Sequence, residues 1–286
     1  MPDIHHCTLC HSTQFRVIHA RRRWRYLRCL KCGLVSLQPR PTSEALMKSY
    51  EKYLPSSPQE IRKWEMMMQP IVHASADLIE GMTRQEKGRV LDIGCGYGFF
   101  LGEMKSREWS AEGVEISGTG AAYASDKWHI PVHSRPLGDL DFPGETFDVV
   151  TLFYVIEHVI DPLDLLAKVR RILKPGGLVF LRWPHSTPIV LALGPFSRLF
   201  DLYHTPYHLH DFSPETMKRL LRRIGFCGIR TQIGGYTRPS GLIAGLASAL
   251  SGRLAEATFR LSSGRLLLPG VSKTTWAVRP NEAHHT

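Results

Sequence analysis

The sequence predicts an α/β protein: a doubly wound, mostly parallel sheet covered by helices on both faces, with a small metal-binding ribbon ahead of it. Three observations carry that prediction. From Arg89 onward, strand-like apolar runs alternate with helical stretches. A glycine-rich turn, Gly94-Cys-Gly-Tyr-Gly98, closes the first of those runs. Four of the six cysteines fall in two tight pairs near the N-terminus.

The pairs are Cys7-Thr-Leu-Cys10 and Cys29-Leu-Lys-Cys32, the second followed by Gly33. Two intervening residues let both thiolates of a pair reach one ion from a single turn. Together Cys7, Cys10, Cys29 and Cys32 suit tetrahedral zinc in a structural role. Phe15–His19 and Trp24–Arg28 read as the two strands of a zinc ribbon. A disulfide framework competes with zinc, but it needs an oxidising compartment. Residues 1–11 carry His, Asp and Cys where a secretory signal would be apolar, so a cytoplasmic protein is expected.

The chain of 286 residues has 43% hydrophobic content and a formal net charge of +10. That charge favours an anionic partner without choosing among nucleic acid, an acidic membrane and a phosphorylated substrate. Arg16, Arg21, Arg22, Arg23, Arg25, Arg28 and Lys31 interleave with Phe15, Trp24 and Tyr26, a mixture that can grip RNA by phosphate pairing and stacking. The plainer reading, a solvated face on a small ribbon, is favoured because no RNA-binding motif accompanies the charge.

Pro39-Arg-Pro-Thr-Ser43 ends the ribbon. A helix is expected over Glu44–Tyr53, a break at Pro55-Ser-Ser-Pro58, and a second helix over 59–81 with Ile61, Trp64, Met68, Ile71 and Ala74 on one stripe. Strands are then expected at Arg89–Ile93, Ala111–Ile116, Pro131–His133, Phe147–Phe153 and Gly177–Trp183. Helices are expected at Phe99–Arg107, Gly118–Trp128, Pro162–Leu173 and Pro214–Ile224. Asp161-Pro162 and Ser213-Pro214 are helix starts, a capping side chain followed by proline at the first position. Cys227 reads as a small core residue.

The glycine loop carries the chemistry. Glycines let the backbone turn sharply and a ligand approach closely, and the helix behind them offers free N–H groups. Glu115 ends the next strand, where a carboxylate can take both hydroxyls of a ribose. The loop is G-x-G-x-G, with Phe99 where a dinucleotide fold has its third glycine. Asp92 also puts negative charge beside the loop, which repels a pyrophosphate and attracts an ammonium. S-adenosylmethionine has that ammonium and a sulfonium, and no phosphate.

Val90–Gly98 resembles motif I of the class I S-adenosylmethionine-dependent methyltransferases. Gly113-Val-Glu-Ile-Ser117 is similar to their acidic ribose-binding step. Phe142-Pro-Gly-Glu-Thr-Phe-Asp-Val-Val150 with Val155-Ile-Glu-His-Val-Ile-Asp-Pro162 resembles their fourth motif, and Leu173-Lys-Pro-Gly-Gly-Leu178 the turn before their fifth strand. The match spans residues 88–183. The cysteine pairs, Leu37-Gln-Pro-Arg-Pro41 and the Tyr50/Tyr53 pair are similar to bacterial members with an N-terminal zinc-binding segment. Many of those are linked to sugar, surface-polysaccharide or secondary-metabolite biosynthesis.

The resemblance implies a Rossmann-like seven-stranded sheet ending in an antiparallel strand, with Gly228–Ile233 and Ser272–Val278 as its last two strands. It implies that Asp92, Gly94, Cys95, Gly96 and Gly98 line the methionine part of the cofactor. Glu115 would hold the ribose, Ile116 would face the adenine, and Asp139, Leu140 and Phe153 would complete the cofactor set. Tyr154 departs from the pattern, since relatives often carry an acid there. The division implied is a zinc ribbon over 1–40, a helical linker or lid over 41–87, and the methyltransferase domain over 88–286.

Methyl transfer from a sulfonium is a one-step displacement, so alignment is the main task and a base is needed only to take a proton from the acceptor. His158, His204 and His208 are the candidates for that proton. A metal held by these histidines with Glu157 is the weaker reading, because the spacing matches no familiar ligand pattern. The plainer reading of His208-Leu-His-Asp-Phe-Ser213 is a structural lead into the next helix. Residues 237–268 form an extra helical segment with Leu242, Leu246, Leu250, Leu254, Ala257 and Leu261 at helical spacing, flanked by Arg253, Arg260 and Arg265. It fits a lid on its own domain, or peripheral contact with a membrane, a lipid-linked substrate or a second subunit. The expected function is O-methylation of a small molecule or sugar. The alternatives are an RNA methyltransferase gripping RNA with its ribbon, and a scaffold that binds the cofactor without catalysis.

Overall fold

A computed structural model describes residues 6–50, 54–83, 87–233, 242–262 and 272–281. Tyr53, Arg265, the rest of 237–241 and 263–268, and the tail beyond Asn281 lie outside the described residues.

The ribbon begins with β1 (Phe15–Arg21) and β2 (Trp24–Cys29), antiparallel and joined by a turn at Arg22. Past the second knuckle, β3 (Val35–Gln38) adds antiparallel to β2, with Leu37 opposite Tyr26. Two helices follow, α1 (Ser43–Tyr50) and the long α2 (Pro58–Met82). Ser57 starts α2 as a capping box: its hydroxyl accepts from the Glu60 N–H and donates to the Glu60 carboxylate. On α2 the expected stripe is buried at Ile61 and Ile71 and half-buried at Trp64, Met68 and Ala74; Val72, Ala76 and Ile79 are the other buried apolar residues.

The expected alternation then unfolds: β4 (Arg89–Ile93), α3 (Phe99–Ser106), β5 (Ser110–Val114), α4 (Gly118–Trp128), β6 (Val132–His133) and β7 (Phe147–Phe153). Next come α5 (Pro162–Ile172), β8 (Leu173–Trp183), α6 (Thr187–Leu193), β9 (His210–Asp211), α7 (Pro214–Arg223), β10 (Cys227–Gln232), α8 (Leu242–Leu261) and β11 (Lys273–Val278). Asp161 and Ser213 cap α5 and α7 with side-chain oxygens, as their sequence signals require. Seven strands pair in the order β10-β11-β8-β7-β4-β5-β6. The last strand of the chain, β11, is antiparallel to both neighbours and slots between β10 and β8. This is the class I methyltransferase sheet. Cys227 departs from expectation: it is exposed, at the start of the edge strand β10.

One face of the sheet packs on α2 and α3 through Val72, Ile79, Phe100 and Met104. The other packs on α5 and α7 through Leu166, Val169, Met217 and Leu220, and this apolar cluster runs on into Cys7, Cys29, Cys32 and Leu34 of the ribbon. The ribbon is therefore not a free module. Its sheet is completed by β9, far along the chain, with Val35 opposite Asp211 and Ser36 opposite His210. Tyr26 stacks on Tyr203 with ring centroids 4.0 Å apart, and its hydroxyl donates to the His208 carbonyl at 3.1 Å.

The four cysteines converge. Sγ of Cys7 lies 3.5 Å from that of Cys32, and Cys10 Sγ lies 3.5 Å from Cys29 Sγ, with all four within 4.8 Å of one another. A disulfide requires about 2.05 Å. Thiolates about 2.3 Å from a tetrahedral zinc stand about 3.8 Å apart. The geometry fits a structural zinc site. Because β3 pairs with β9, loss of this zinc is felt beyond the ribbon. Cys29→Ser is expected to abolish zinc binding and to raise hydrogen exchange in β1–β3 and in residues 208–211, while β4 and the glycine loop stay protected. A metal-free parent carrying a Cys7–Cys32 or Cys10–Cys29 disulfide would overturn the assignment.

Candidate active site

Strand β4 delivers Asp92 and the glycine loop to the carboxyl edge of the sheet. Gly94, Gly96 and Gly98 all have positive φ (72°, 54° and 72°), so the turn is closed to most side chains. A Cβ at Gly94 would lie 2.4 Å from Val155 Cγ2, and one at Gly98 would lie 2.9 Å from Ala124 Cβ. The loop thus brings backbone, not side chain, against whatever occupies the cleft.

Two carboxylates flank it. Asp92 is 2% exposed, and the Thr151 hydroxyl on β7 donates to its Oδ1 at 2.7 Å. Burial pushes its pKa up to about 8; the Thr151 hydrogen bond opposes the shift and the nearby Glu115 charge adds to it. Glu115, 7% exposed, accepts from the Gly96 N–H at 2.8 Å and the Ser117 N–H at 2.7 Å. Burial raises its pKa as well, against those backbone donors. Each oxygen keeps a lone pair for a further donor. A buried acid held near neutrality fits an ammonium partner, and an oriented carboxylate fits a vicinal diol. The donor set therefore suits S-adenosylmethionine: Asp92 and Gly94–Gly98 for its amino-acid end, Glu115 for its ribose.

The other expected residues are placed as follows. Cys95 is half-buried in the loop and Ile116 half-buried just past Glu115. Asp139 is exposed and Leu140 half-buried, at a short 3₁₀ turn after β6. Phe153 packs between Phe100 and Phe180, with centroids 4.8 Å and 5.9 Å away. Two residues of the segment expected as a helical linker or lid, 41–87, reach the loop. The Tyr97 hydroxyl donates to the Pro55 carbonyl, and Leu54 Cδ1 lies 2.5 Å from where a Cβ on Gly120 would stand. Residues 54 and 55 therefore lie across the glycine loop. The sequence expectation of a linker or lid, with its Pro55–Pro58 break, did not say which residues would meet the loop.

The acceptor side lies past the ends of β7 and β8. His158, His204 and His208 do come together, with centroids 4.8 Å (His158–His208) and 5.0 Å (His204–His208) apart. His158 Nδ1 donates to the Tyr207 carbonyl at 3.0 Å, which makes Nε2 its lone-pair nitrogen. Burial drives the pKa of His158 down to about 4 and of His208 to about 2, so both imidazoles are neutral at physiological pH. The Leu209 and His210 N–H groups donate to the Glu157 carbonyl at 2.8 Å and 3.0 Å, locking the histidine loop onto the turn after β7. Tyr154 stands near this edge, its hydroxyl accepting from Arg182 Nε at 2.8 Å.

A family model described as a methyltransferase domain matches residues 64–230. The chain is 33% identical over 155 residues to the ubiquinone biosynthesis O-methyltransferase of Cereibacter sphaeroides, covering 48% of this chain and 59% of that protein. It is 29% identical over 163 residues to the protein of the same name from Pseudomonas aeruginosa, covering 54% and 64%. The chain thus spans about six-tenths of the length of the curated relatives it matches. Its fold is also that of Haemonchus contortus phosphoethanolamine N-methyltransferase 2 in complex with S-adenosyl-L-methionine, at 18% identity and a TM-score of 0.58 over 86% of this chain and 63% of that one. The chain belongs to the methyltransferase-domain family.

Two outcomes follow from the cradle. Glu115→Ala is expected to forgo two charge-assisted hydrogen bonds from a ribose diol, each about 1.5–3 kcal/mol; calorimetric titration should show cofactor affinity falling at least tenfold with the fold intact. Asp92 must lose its proton to meet an ammonium. Its ligand-free pKa lies near 8, so cofactor binding releases a proton and affinity rises, by at most about tenfold per pH unit, as pH climbs from about 6 toward 7.5. Affinity flat across that window, or equally pH-dependent in Asp92→Asn, would show that Asp92 does not meet the ammonium.

Proposed function

We propose that this methyltransferase moves the methyl group of S-adenosylmethionine to a hydroxyl oxygen of a small-molecule or sugar acceptor. The observation that carries the reading is the pair of buried carboxylates, Asp92 and Glu115, set on either side of a three-glycine turn. The names of the curated relatives support oxygen as the atom methylated.

When bound, the cofactor supplies a methyl group on a positively charged sulfur. The chain's part is alignment and exclusion of water. Asp92 and Glu115 fix the two ends of the cofactor, and the loop glycines admit it to backbone contact. Leu54 and Pro55 cover the loop and keep solvent from it. His158, His204 and His208 border the space beyond β7, where an acceptor hydroxyl would give up its proton. His158 and His208 are too weakly basic to hold that proton long, so they suit transient relay better than storage.

The ribbon's basic run supports RNA less well than its composition suggested. Arg21 lies 3.8 Å from Asp201, and Arg23 lies over the Trp24 ring at 4.6 Å. The long helix α8 leaves Leu246, Leu250, Leu254 and Leu261 exposed, in line with a contact face. Among the described residues no helix is long and apolar enough to cross a membrane.

Labelled S-adenosylmethionine, offered with phenolic and sugar acceptors and separately with total RNA, tests the reading. Label is expected in the small acceptors, with kcat/KM within about twofold after Arg22→Ser and Arg25→Ser, since exposed ribbon charges would take no part. Label in RNA, lost in those variants and at high salt, would replace this reading with the RNA one.

A further inference from the structure

A cleft between the ribbon and α7 gathers four cations and no acid. It holds about 480 Å³ and is bounded by β1, the second knuckle, α6 and α7. Small-molecule sites run from about 300 to 1,000 Å³. Arg16, Arg28, Lys31 and Arg219 line it, and no described carboxylate does. Arg16 and Arg28 stand directly opposite each other across β1 and β2. Like charges in that register cost stability unless an opposite charge lies between them. Among the described residues, Arg16, Arg28 and Lys31 have no ion-pair partner, while Arg219 shares its charge with Glu215 one turn earlier on α7.

The frame holds these charges in place. Leu30 and Lys31 lie between Cys29 and Cys32, so a bound zinc pins them at both ends. The Leu30 N–H also donates to the Gln14 carbonyl at 3.0 Å. Arg28 Nη2 lies 3.9 Å from where a Cβ on Gly33 would stand, and Thr216 Cγ2 lies 3.8 Å from the same point. The guanidinium is thereby brought beside α7, one turn before Arg219. Zinc with four thiolates carries two negative charges, which offset part of the four cations. With Glu215 counted as well, the cleft stays positive. Val17, Leu30 and Leu191, each about half exposed or more, add apolar wall.

This donor set selects among anions. The planar fork of arginine meets phosphate oxygens two at a time, and lysine meets them as a point charge. A phosphate brings more negative charge to such a site than the single charge of a carboxylate. We propose that the cleft binds the phosphate or diphosphate group of a small molecule. Arg16 and Arg28 hold it from the two strands, Lys31 from the knuckle and Arg219 from α7, with the organic part against the apolar wall. None of the lining residues belongs to the cofactor cradle, so the site stands independently of the O-methylation reading. Arg22 and Arg25 do not line it.

The test reads binding directly. The whole chain, holding its ribbon zinc, is titrated by calorimetry with inorganic pyrophosphate at about 0.15 M salt, where diffuse surface charge is screened. One saturable site per chain is expected. Arg16→Ser and Arg28→Ser should each weaken it at least about fivefold, while keeping one zinc per chain and unchanged S-adenosylhomocysteine affinity as evidence of folding. Arg22→Ser, at the opposite end of the β1–β2 pair, should leave it within about twofold. UDP and geranyl diphosphate then separate the sources: the tighter of the two shows whether a nucleoside or a hydrocarbon chain accompanies the diphosphate. No saturable pyrophosphate binding, equal binding in the parent and the Arg16 and Arg28 variants, or equal loss in all three variants overturns the site. Binding of single-stranded RNA weakened by Arg28→Ser, with all three diphosphate probes failing, would give the cleft to nucleic acid instead.

Discussion

Two backbone hydrogen bonds tie the histidine loop to the central sheet: those from the Leu209 and His210 N–H groups to the Glu157 carbonyl. They join the end of β7, which belongs to the central sheet, to β9, which belongs to the ribbon sheet. Side chains reinforce the joint. Arg40 donates to the Ile160 carbonyl at 2.7 Å and to His210 Nε2 at 3.2 Å, and His210 Nδ1 reaches the Ser36 hydroxyl at 3.2 Å. Asp211 accepts from the Ser186 and Thr187 N–H groups at the start of α6. Buried polar groups of this kind are satisfied only in one arrangement, so the ribbon, the histidine loop and the strand end have a single mutual position.

Much of the central domain was legible because its signals are local. The β4 run, the glycine turn and Glu115 lie close in sequence, and the caps at Asp161 and Ser213 need only the residues after them. The ribbon was only half legible. β1 and β2 follow from the residues between the knuckles, but β3 forms because Val35 and Leu37 find β2 on one side and β9 on the other. A two-residue strand such as β9 has no signal of its own; pairing defines it. The histidines were visible as candidates, yet their burial and mutual distances come from loop packing. Cys227 was misjudged because a cysteine on an edge strand and one in the core look alike in sequence.

Tyr154 shows how one departure from a family pattern is absorbed. Arg182 on β8 is buried, and so is Lys273 opposite Trp183 on β11. Burial, then the charge of Arg182, lowers the Lys273 pKa to about 8, with Asp211 acting in the other direction. An acid at position 154 would sit within reach of Arg182. Here the phenol does so instead, accepting from Arg182 Nε at 2.8 Å and donating to the Ser272 hydroxyl at 3.2 Å. The arrangement leaves the edge beside β8 more positive than a carboxylate would.

The roof over the glycine loop has a steric meaning. Leu54 Cδ2 stands 3.9 Å from where a Cβ on Gly96 would be, and Pro55 is tied to Tyr97. A nucleoside resting on those glycines shares its exit with residues 54 and 55. The approach to the glycine turn is therefore narrowed by two residues that belong to neither sheet: one leucine side chain and one carbonyl held by a phenol set how much of the loop's backbone a ligand can reach.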